Sequence, residues 1–363
     1  MKTWSMIDYI DETEDTLKKM IANREQLYNN FAQTFADNTN KYHNIYLVGS
    51  GTSFNSCITA QPFMEKILKK HIIPVNSYNF AHYEQLATSA DLVIAITQEG
   101  ESTNTIAALN RANSLNCDNF VITEDRDNSC SQVAQNKIVL ACGFEHVGPK
   151  TKGYSASILT FYLIALEAAK RAGQLTAKEF DEYIDRLEKT VNNLNVIIKE
   201  SKNWFEENSA DLKKCHHAYI LGYGNNKGTI MEGALKSLET VRDYFQPFEV
   251  EEFLHGPIAS MHKETYTIIV APVIYGYERA NKLFKALNEQ TDHAYSIGSQ
   301  EGISSNHVLK GSFLNDADFC PLEYCIPLQL FAYLLYTGQG KDLNVRNYPN
   351  TKDVLITKAN SVK

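Results

Sequence analysis

The sequence predicts an α/β fold of two tandem doubly wound domains, each with a parallel sheet and flanking helices. Short apolar runs alternate with segments of helical periodicity along most of the 363 residues. The runs are apolar throughout, which is typical of strands in a parallel sheet covered on both faces. A unit of strand, glycine turn and helix occurs twice, because IYLVGSGTS from Ile45 aligns with AYILGYGNN from Ala218. An internal repeat of this kind predicts two copies of one domain.

The first half of the chain contains a helical lead-in, predicted for residues 1–40, and the first domain, predicted for residues 41–198. The strands of that domain are predicted at five short apolar runs, at 45–48, 72–75, 91–97, 119–123 and 137–142. Segments of helical periodicity separate them, so each strand can run parallel to the one before it.

The second domain is predicted for residues 199–340. Its strands are expected at the repeated AYILG run and at residues 266–274 and 294–298, and an apolar helix is expected from Pro321 to Tyr336. An aromatic and acidic loop is predicted over residues 244–252. The remaining tail, residues 341–363, is polar and basic. It is either disordered or folded over a binding site, and we expect the second.

Charge and cysteine content limit the classes of partner. The formal net charge of −8 argues against nonspecific binding to nucleic acid or to an anionic membrane. Seven cysteines without a C-x-x-C pair indicate free thiols rather than a disulfide framework or a zinc site. The polar, acidic start is unlike a signal peptide, and no run approaches the length of a membrane span. We therefore expect a cytoplasmic protein without a bound metal.

Two hydroxyl-rich loops follow predicted strands of the first domain, one at residues 49–53 (GSGTS) and one at residues 97–103 (TQEGEST). Ligands of such sheets bind at the carboxyl ends of the strands, and helix N-termini with Ser or Thr hydroxyls bind anions. The alternative is simple helix capping, for which Ser and Thr are also favoured. Two converging loops favour a phosphate or sugar site. Neither loop has the glycine pattern of a dinucleotide or ATP site, so no cofactor is expected.

A helix predicted from residue 232 places Lys236 and Glu239 on one face, three residues apart. His255 precedes Gly256-Pro257, a pair that orders the turn after the imidazole. Together Lys, Glu and His can move protons near neutral pH. The alternative is a solvated surface ion pair with a structural histidine.

These motifs together resemble the sugar isomerase (SIS) domain family. The closest resemblance is to proteins with two SIS domains, such as the isomerase half of glucosamine-6-phosphate synthase and the fructosamine-6-phosphate deglycases. Four segments carry the resemblance, in the family's order: GSGTS at 49–53, TQEGES at 97–102 in place of S-Q-S-G-E-T, EGALKSLE at 232–239 and HGP at 255–257. The resemblance implies a flavodoxin-like fold in each domain.

The resemblance also implies roles for single residues. Glu239 would move a proton between C1 and C2 of the sugar, and Lys236 would orient the open-chain sugar or steady its charge. His255 would help to open the ring from the neighbouring subunit of a homodimer. The residues implied in binding the phosphate and sugar are Gly51, Thr52, Ser53, Thr97, Gln98, Glu99, Ser102, Lys150 and Lys352. The partner is then a small-molecule sugar phosphate, without a metal or cofactor.

Three of these positions depart from the family pattern. Glu99 and Lys150 stand where the family has serines, and Lys352 is displaced within the tail. Lys150 could neutralise Glu99, or the pair could recognise the amine or carboxylate of an amino-acid adduct; an inert surface pair is the alternative.

The function expected from the sequence is deglycation of a fructosamine 6-phosphate. The alternatives are deamination of glucosamine 6-phosphate, aldose–ketose isomerisation, and a sugar-phosphate-binding regulator without catalysis.

Overall fold

The computed structural model describes residues 4–125, 127–298, 305–343, 345 and 355–359. They fall into two compact units, each made of three chain segments. The first unit contains Asp15–Glu145, Lys152–Asp185 and Val345–Lys363. The second unit contains Met1–Glu14, His146–Thr151 and Arg186–Asn344. The domains predicted from the sequence are continuous stretches of chain, whereas these units are made of separate segments. The predicted limits therefore remain a prediction.

The first unit contains a five-stranded parallel sheet with the order β2-β1-β3-β4-β5. Its strands are β1 (Asn44–Gly49), β2 (His71–Asn76), β3 (Leu92–Ile96), β4 (Asp118–Thr123) and β5 (Asn136–Val139). The direction of winding reverses between β1 and β3, which is the switch point at which doubly wound sheets bind ligands.

The second unit repeats this arrangement with the order β10-β9-β8-β6-β7, also parallel. Its strands are β6 (His217–Gly222), β7 (Tyr244–Glu249), β8 (Tyr266–Val270), β9 (Ala294–Ile297) and β10 (Val308–Leu309). The two registers also match, because β1 and β2 end on the pair Gly49–Asn76 and β6 and β7 end on the pair Gly222–Glu249. The two-domain parallel α/β fold and its internal repeat are confirmed.

Helices connect these strands and cover the sheets. In chain order they are α1 (Met6–Asp11), α2 (Thr13–Ala22), α3 (Arg24–Asn38), α4 (Thr52–Leu68), α5 (Ser77–His82), α6 (Thr103–Ser114), α7 (Ser129–Val133), α8 (Lys152–Arg171), α9 (Ala177–Asn192), α10 (Leu194–Glu207), α11 (Ser209–Leu212), α12 (Lys227–Thr240), α13 (Val250–Leu254), α14 (Tyr277–Asn288) and α15 (Cys320–Gly338). Short 3₁₀ turns span Gly224–Asn226 and Pro257–Ser260.

The prediction of a loop over residues 244–252 is wrong. Tyr244–Glu249 forms β7 and Val250–Leu254 forms α13. Pro247 argues against a central strand because it lacks an N–H for the ladder. Since β7 lies at the edge of the sheet and pairs with β6 alone, the missing donor is tolerated there. The two-residue strand β10 was not predicted because so short a run gives no periodicity.

The apolar patterns agree with the burial. All five residues of β3 and all five of β8 are buried, as expected of central strands covered on both faces. Helix α8 is buried from Lys152 to Ala169 in the first unit, and α15 is buried over most of its length in the second. The seven cysteines are all free and buried. Within the described ranges, no helix is long and apolar enough to cross a membrane.

Candidate active site

The loop between β1 and α4 has the backbone of a ligand-binding turn. Gly51 caps α4 with φ 57° and ψ −129°, a conformation that favours glycine. Hydroxyl groups precede and follow this glycine, at Ser50, Thr52 and Ser53. The Ser50 Oγ is buried and has no hydrogen-bond partner among the described residues. A buried hydroxyl without a partner is costly, so a ligand atom at this helix N-terminus would stabilise it.

The loop between β3 and α6 lies beside the first loop, because β1 and β3 are neighbouring strands. Thr97 is buried, and the side chain of Ser102 caps α6 by accepting a hydrogen bond from the Thr105 N–H. Gly100 has φ 73°, and a Cβ there would lie 2.0 Å from the Asn128 side chain. The loop thus requires glycine at this position for both its conformation and its packing.

Gln98 is fixed by a buried carboxylate. Its Nε2 donates to the Oε1 of Glu145 at 3.2 Å, and the N–H of Gly153 donates to the same oxygen at 2.8 Å. Glu145 is only 1% exposed. A Cβ on Gly153 would lie 2.1 Å from the Gln98 Oε1, so the first turn of α8 also determines where the amide lies.

A short piece of the tail pairs with the second loop. Lys358 forms an antiparallel bridge with Ser102, and its Nζ donates to the Oε2 of Glu99 at 2.5 Å. The Thr103 N–H donates to the Thr357 carbonyl at 3.1 Å, and the Ala359 N–H donates to the Glu101 carbonyl at 2.8 Å. These five residues of the tail, 355–359, therefore cover a predicted binding loop.

In the second unit, α12 carries the predicted proton-transfer residues. The Lys236 Nζ contacts the Oε2 of Glu239 and lies 3.6 Å from the Oε1 of Glu232. Lys236 and Glu232 are almost fully buried, whereas the Glu239 side chain is 37% exposed. This is not a solvated surface pair. Contacts with the Lys236 amine position both carboxylates, and the exposed one, Glu239, can reach a substrate.

Close packing holds α12 in place. A Cβ on Gly233 would lie 2.7 Å from Leu328 of α15, so only glycine permits this approach. The Thr240 Oγ1 donates to the Lys236 carbonyl at 2.8 Å and lies 3.2 Å from the Ala332 carbonyl of α15. Lys236 therefore sits on a backbone that can move little.

His255 ends α13, and Gly256 with φ 150° turns the chain into the 3₁₀ segment Pro257–Ser260. The Glu249 side chain caps α13 by accepting hydrogen bonds from the N–H groups of Glu251 and Glu252. The ordered turn predicted from Gly-Pro is confirmed, and the imidazole is exposed.

The predicted residues thus fall into two sets. The first unit holds Gly51, Thr52, Ser53, Thr97, Gln98, Glu99 and Ser102, on the two loops at the ends of β1 and β3. The second unit holds Lys236, Glu239 and His255, and also Lys150, which is half-buried in the segment His146–Thr151. Lys352 lies outside the described residues. Neutralisation of Glu99 by Lys150 stays a prediction.

Three residues of these sites were missed from the sequence. Glu232 begins the E-G-A-L-K-x-x-E motif, and its i,i+4 spacing from Lys236 was a usable signal. Glu145 lies in a loop that shows no pattern. Lys358 is 259 residues from Glu99, and such a distant pair leaves no local trace in the sequence.

Comparison with known proteins agrees with the fold and the motifs. Residues 40–168 match the SIS domain family, and this range contains both loops. This part of the chain, about a third of its length, is therefore similar to a SIS domain.

Among its curated relatives is a glutamine–fructose-6-phosphate aminotransferase (isomerizing) from Caldanaerobacter subterraneus subsp. tengcongensis, 24% identical over 91% of this chain. The chain spans 55% of that relative's length.

Two solved structures share the fold. A protein from Clostridium difficile 630, named provisionally as a phosphosugar isomerase, superposes with a TM-score of 0.91 at 24% identity, over 98% of this chain and 99% of its own. The C-terminal domain of glucosamine-fructose-6-phosphate aminotransferase from Francisella tularensis gives 0.83 at 20% identity, over 94% and 98%.

Proposed function

We propose that this chain is a phosphosugar-processing enzyme that acts at C1 and C2 of a phosphorylated ketosamine. The favoured reaction is deglycation of a fructosamine 6-phosphate. The observation that carries the proposal is the buried Lys236 between Glu232 and the exposed Glu239. Burial of a charged lysine costs desolvation free energy, so the ion pair is weak evidence that these residues stabilise the fold. The arrangement suits a site that must hold a carboxylate in one position.

In this mechanism Glu239 removes a proton from C1 of the open-chain ketosamine and returns it to C2. The product is an imine at C1, and addition of water with loss of the amine gives an aldose 6-phosphate. Proton transfer by a positioned carboxylate contributes a factor of about 100 to 10,000 to such a step. The two loops of the first unit are candidates for binding a phosphate and sugar hydroxyls, a role supported by the Ser50 hydroxyl, which has no hydrogen-bond partner among the described residues.

The relatives support a reaction of this class. The aminotransferase relatives and the provisionally named isomerase are both named for sugar phosphates. Release of the amine from a ketosamine needs the same proton transfer between C1 and C2 as an isomerisation. A homodimer in which His255 serves the neighbouring subunit is part of the proposal.

The test is amine release by the purified protein from fructose-amino-acid 6-phosphates and, separately, from glucosamine 6-phosphate. We expect release from a ketosamine, and a decrease of at least about 100-fold in kcat for Glu239→Gln, as is typical when a general base is lost. Glu206→Gln, an exposed acid at the end of α10, is the matched control.

Ammonia from glucosamine 6-phosphate alone would show a deaminase instead. Binding of a sugar phosphate without turnover of either substrate would favour the alternative function, a sugar-phosphate-binding regulator without catalysis.

A further inference from the structure

The second loop of the first unit carries more negative charge than a phosphate site should. Glu99 and Glu101 both lie within it, and a carboxylate close to a phosphate dianion is repulsive. Glu101 is engaged by Ser129, whose Oγ donates to its Oε2 at 2.7 Å. Glu99 is engaged by Lys358, and the Glu99 side chain is 20% exposed.

The tail also uses a donor of the helix N-terminus. The Thr103 N–H, at the first position of α6, donates to the Thr357 carbonyl at 3.1 Å. The Thr105 N–H donates to the Ser102 hydroxyl at 3.4 Å. Both N–H groups belong to the set that a helix N-terminus presents to an anion, and both already donate within the protein. A phosphate bound at this loop therefore needs a positive charge from another residue.

Lys358 can supply that charge. Its ammonium has three N–H donors, of which the bond to Glu99 uses one, and the side chain is 49% exposed. Hydrogen bonds of Thr357 and Ala359 to the loop hold the backbone on both sides of Lys358. The ammonium is thus positioned before a ligand arrives, which lowers the entropy cost of binding.

We infer that Lys358 is a substrate-binding residue. Its ammonium contacts the phosphate of the sugar phosphate, while Glu99 holds the lysine at the second loop. The inference rests on the proposed function only for the class of ligand. The inference differs from the prediction that Glu99 recognises the amine of the substrate. To bind Glu99, a substrate ammonium would have to displace Lys358 from that carboxylate.

The experiment measures dissociation constants for fructose 6-phosphate and for fructose by calorimetry, with Lys358→Gln, Glu99→Gln and the double variant. Lys358→Gln should weaken fructose 6-phosphate about tenfold, because a hydrogen bond to a charged group contributes on this scale. It should change fructose binding little. Glu99→Gln should weaken the binding of fructose 6-phosphate less than Lys358→Gln does, because it loosens the hold on the ammonium but keeps the ammonium and removes a repulsive carboxylate. The double variant should recover part of the loss seen in Lys358→Gln.

Lys178→Gln and Glu182→Gln are matched controls, because this exposed pair with an N–O distance of 3.7 Å lies on α9 of the same unit. Hydrogen exchange at the Thr103 and Ala359 amides reports whether the tail stays docked in each variant.

Unchanged binding in Lys358→Gln with the tail docked would overturn the inference. So would an equal loss in Glu99→Gln, because the pair would then act only by holding the tail. A wild-type protein that binds fructose 6-phosphate but releases no amine contradicts the proposed reaction and leaves this test intact, whereas one that binds no sugar phosphate overturns both.

Discussion

The Lys236 Nζ lies 3.6 Å from the Glu232 Oε1 one helical turn away, and neither side chain is more than 2% exposed. Two opposite charges removed from water in this way depend on each other. The attraction offsets a desolvation cost of several kcal/mol per ion only while both partners are present.

Lys236→Met should therefore destabilise the protein by about 3 to 5 kcal/mol, because it leaves Glu232 buried beside Glu239 without the ammonium. The free energy of unfolding from urea titration measures this. Adding Glu232→Gln should recover part of the loss. Lys202→Met, at a half-exposed pair with Asp11, is the control and should cost less than about 1 kcal/mol. Equal losses at the two sites would contradict the account.

Gly153→Ala should weaken binding of fructose 6-phosphate without unfolding the protein. The new Cβ would meet the flexible end of Gln98 at 2.1 Å, so the amide moves rather than the backbone. A displaced hydrogen-bonding group of this kind costs binding about 1 kcal/mol, or roughly fivefold. Calorimetry measures the change. The Cβ would also lie 2.8 Å from the Oε1 of Glu145. In a Gln98→Ala background the substitution should therefore have a smaller effect than in the wild type, and full additivity would show that Gly153 does not act through Gln98.

Asp211 should make the stability of the second unit sensitive to acid. Burial opposes ionisation of Asp211, but hydrogen bonds from Tyr295 at 2.7 Å, His293 at 2.8 Å and Tyr266 at 3.0 Å outweigh it and lower the pKa of the carboxyl. A lowered folded pKa gives stability that is present above the unfolded value of about 4 and is lost as the pH falls through the folded value.

Asp211→Asn should then cost about 1.5 to 3 kcal/mol at pH 7, the range for hydrogen bonds to a charged group. The difference from wild type should shrink as the pH falls below about 4. Urea unfolding at a series of pH values measures both effects. A difference that stays constant down to the acid transition would argue against this role.

The cysteines should be inert in the folded protein. Burial raises the pKa of Cys117 to about 11 and those of Cys130, Cys142 and Cys320 to about 12, and it raises the pKa of Cys57 and Cys215 as well. Since the thiolate is the reactive form, a disulfide reagent should label few of the seven thiols before unfolding and all of them after it. Lys178→Cys, on an exposed side chain, provides the positive control; rapid native labelling of the wild type would refute the prediction.

Much of the fold could be predicted because central parallel strands are apolar throughout and the glycine turns recur. Glu232 and Lys236 could also be placed on one helical face. Their burial could not, because it depends on α15 packing against Gly233. The strand at Tyr244–Glu249 was missed because a proline interrupts it, and only an edge position tolerates that.

The candidate site was predicted less completely than the fold. Loop residues such as Thr52 and Ser102 follow from local pattern, since a glycine turn and a helix start can be read in sequence. The pairing of Lys358 with Glu99 depends on how the chain end returns to the loop, which no local pattern encodes.

The division of the chain into interleaved segments has a consequence for synthesis on the ribosome. Helix α1 packs against α15 of its unit, but α15 is translated hundreds of residues later. The bridge at Ser102 must wait for Lys358, which is translated much later. A nascent chain therefore cannot finish either unit early, as a protein of consecutive domains can. A chain that stops before α15 would leave the second unit incomplete, and one that stops before Lys358 would leave the first unit without its bridge at Ser102.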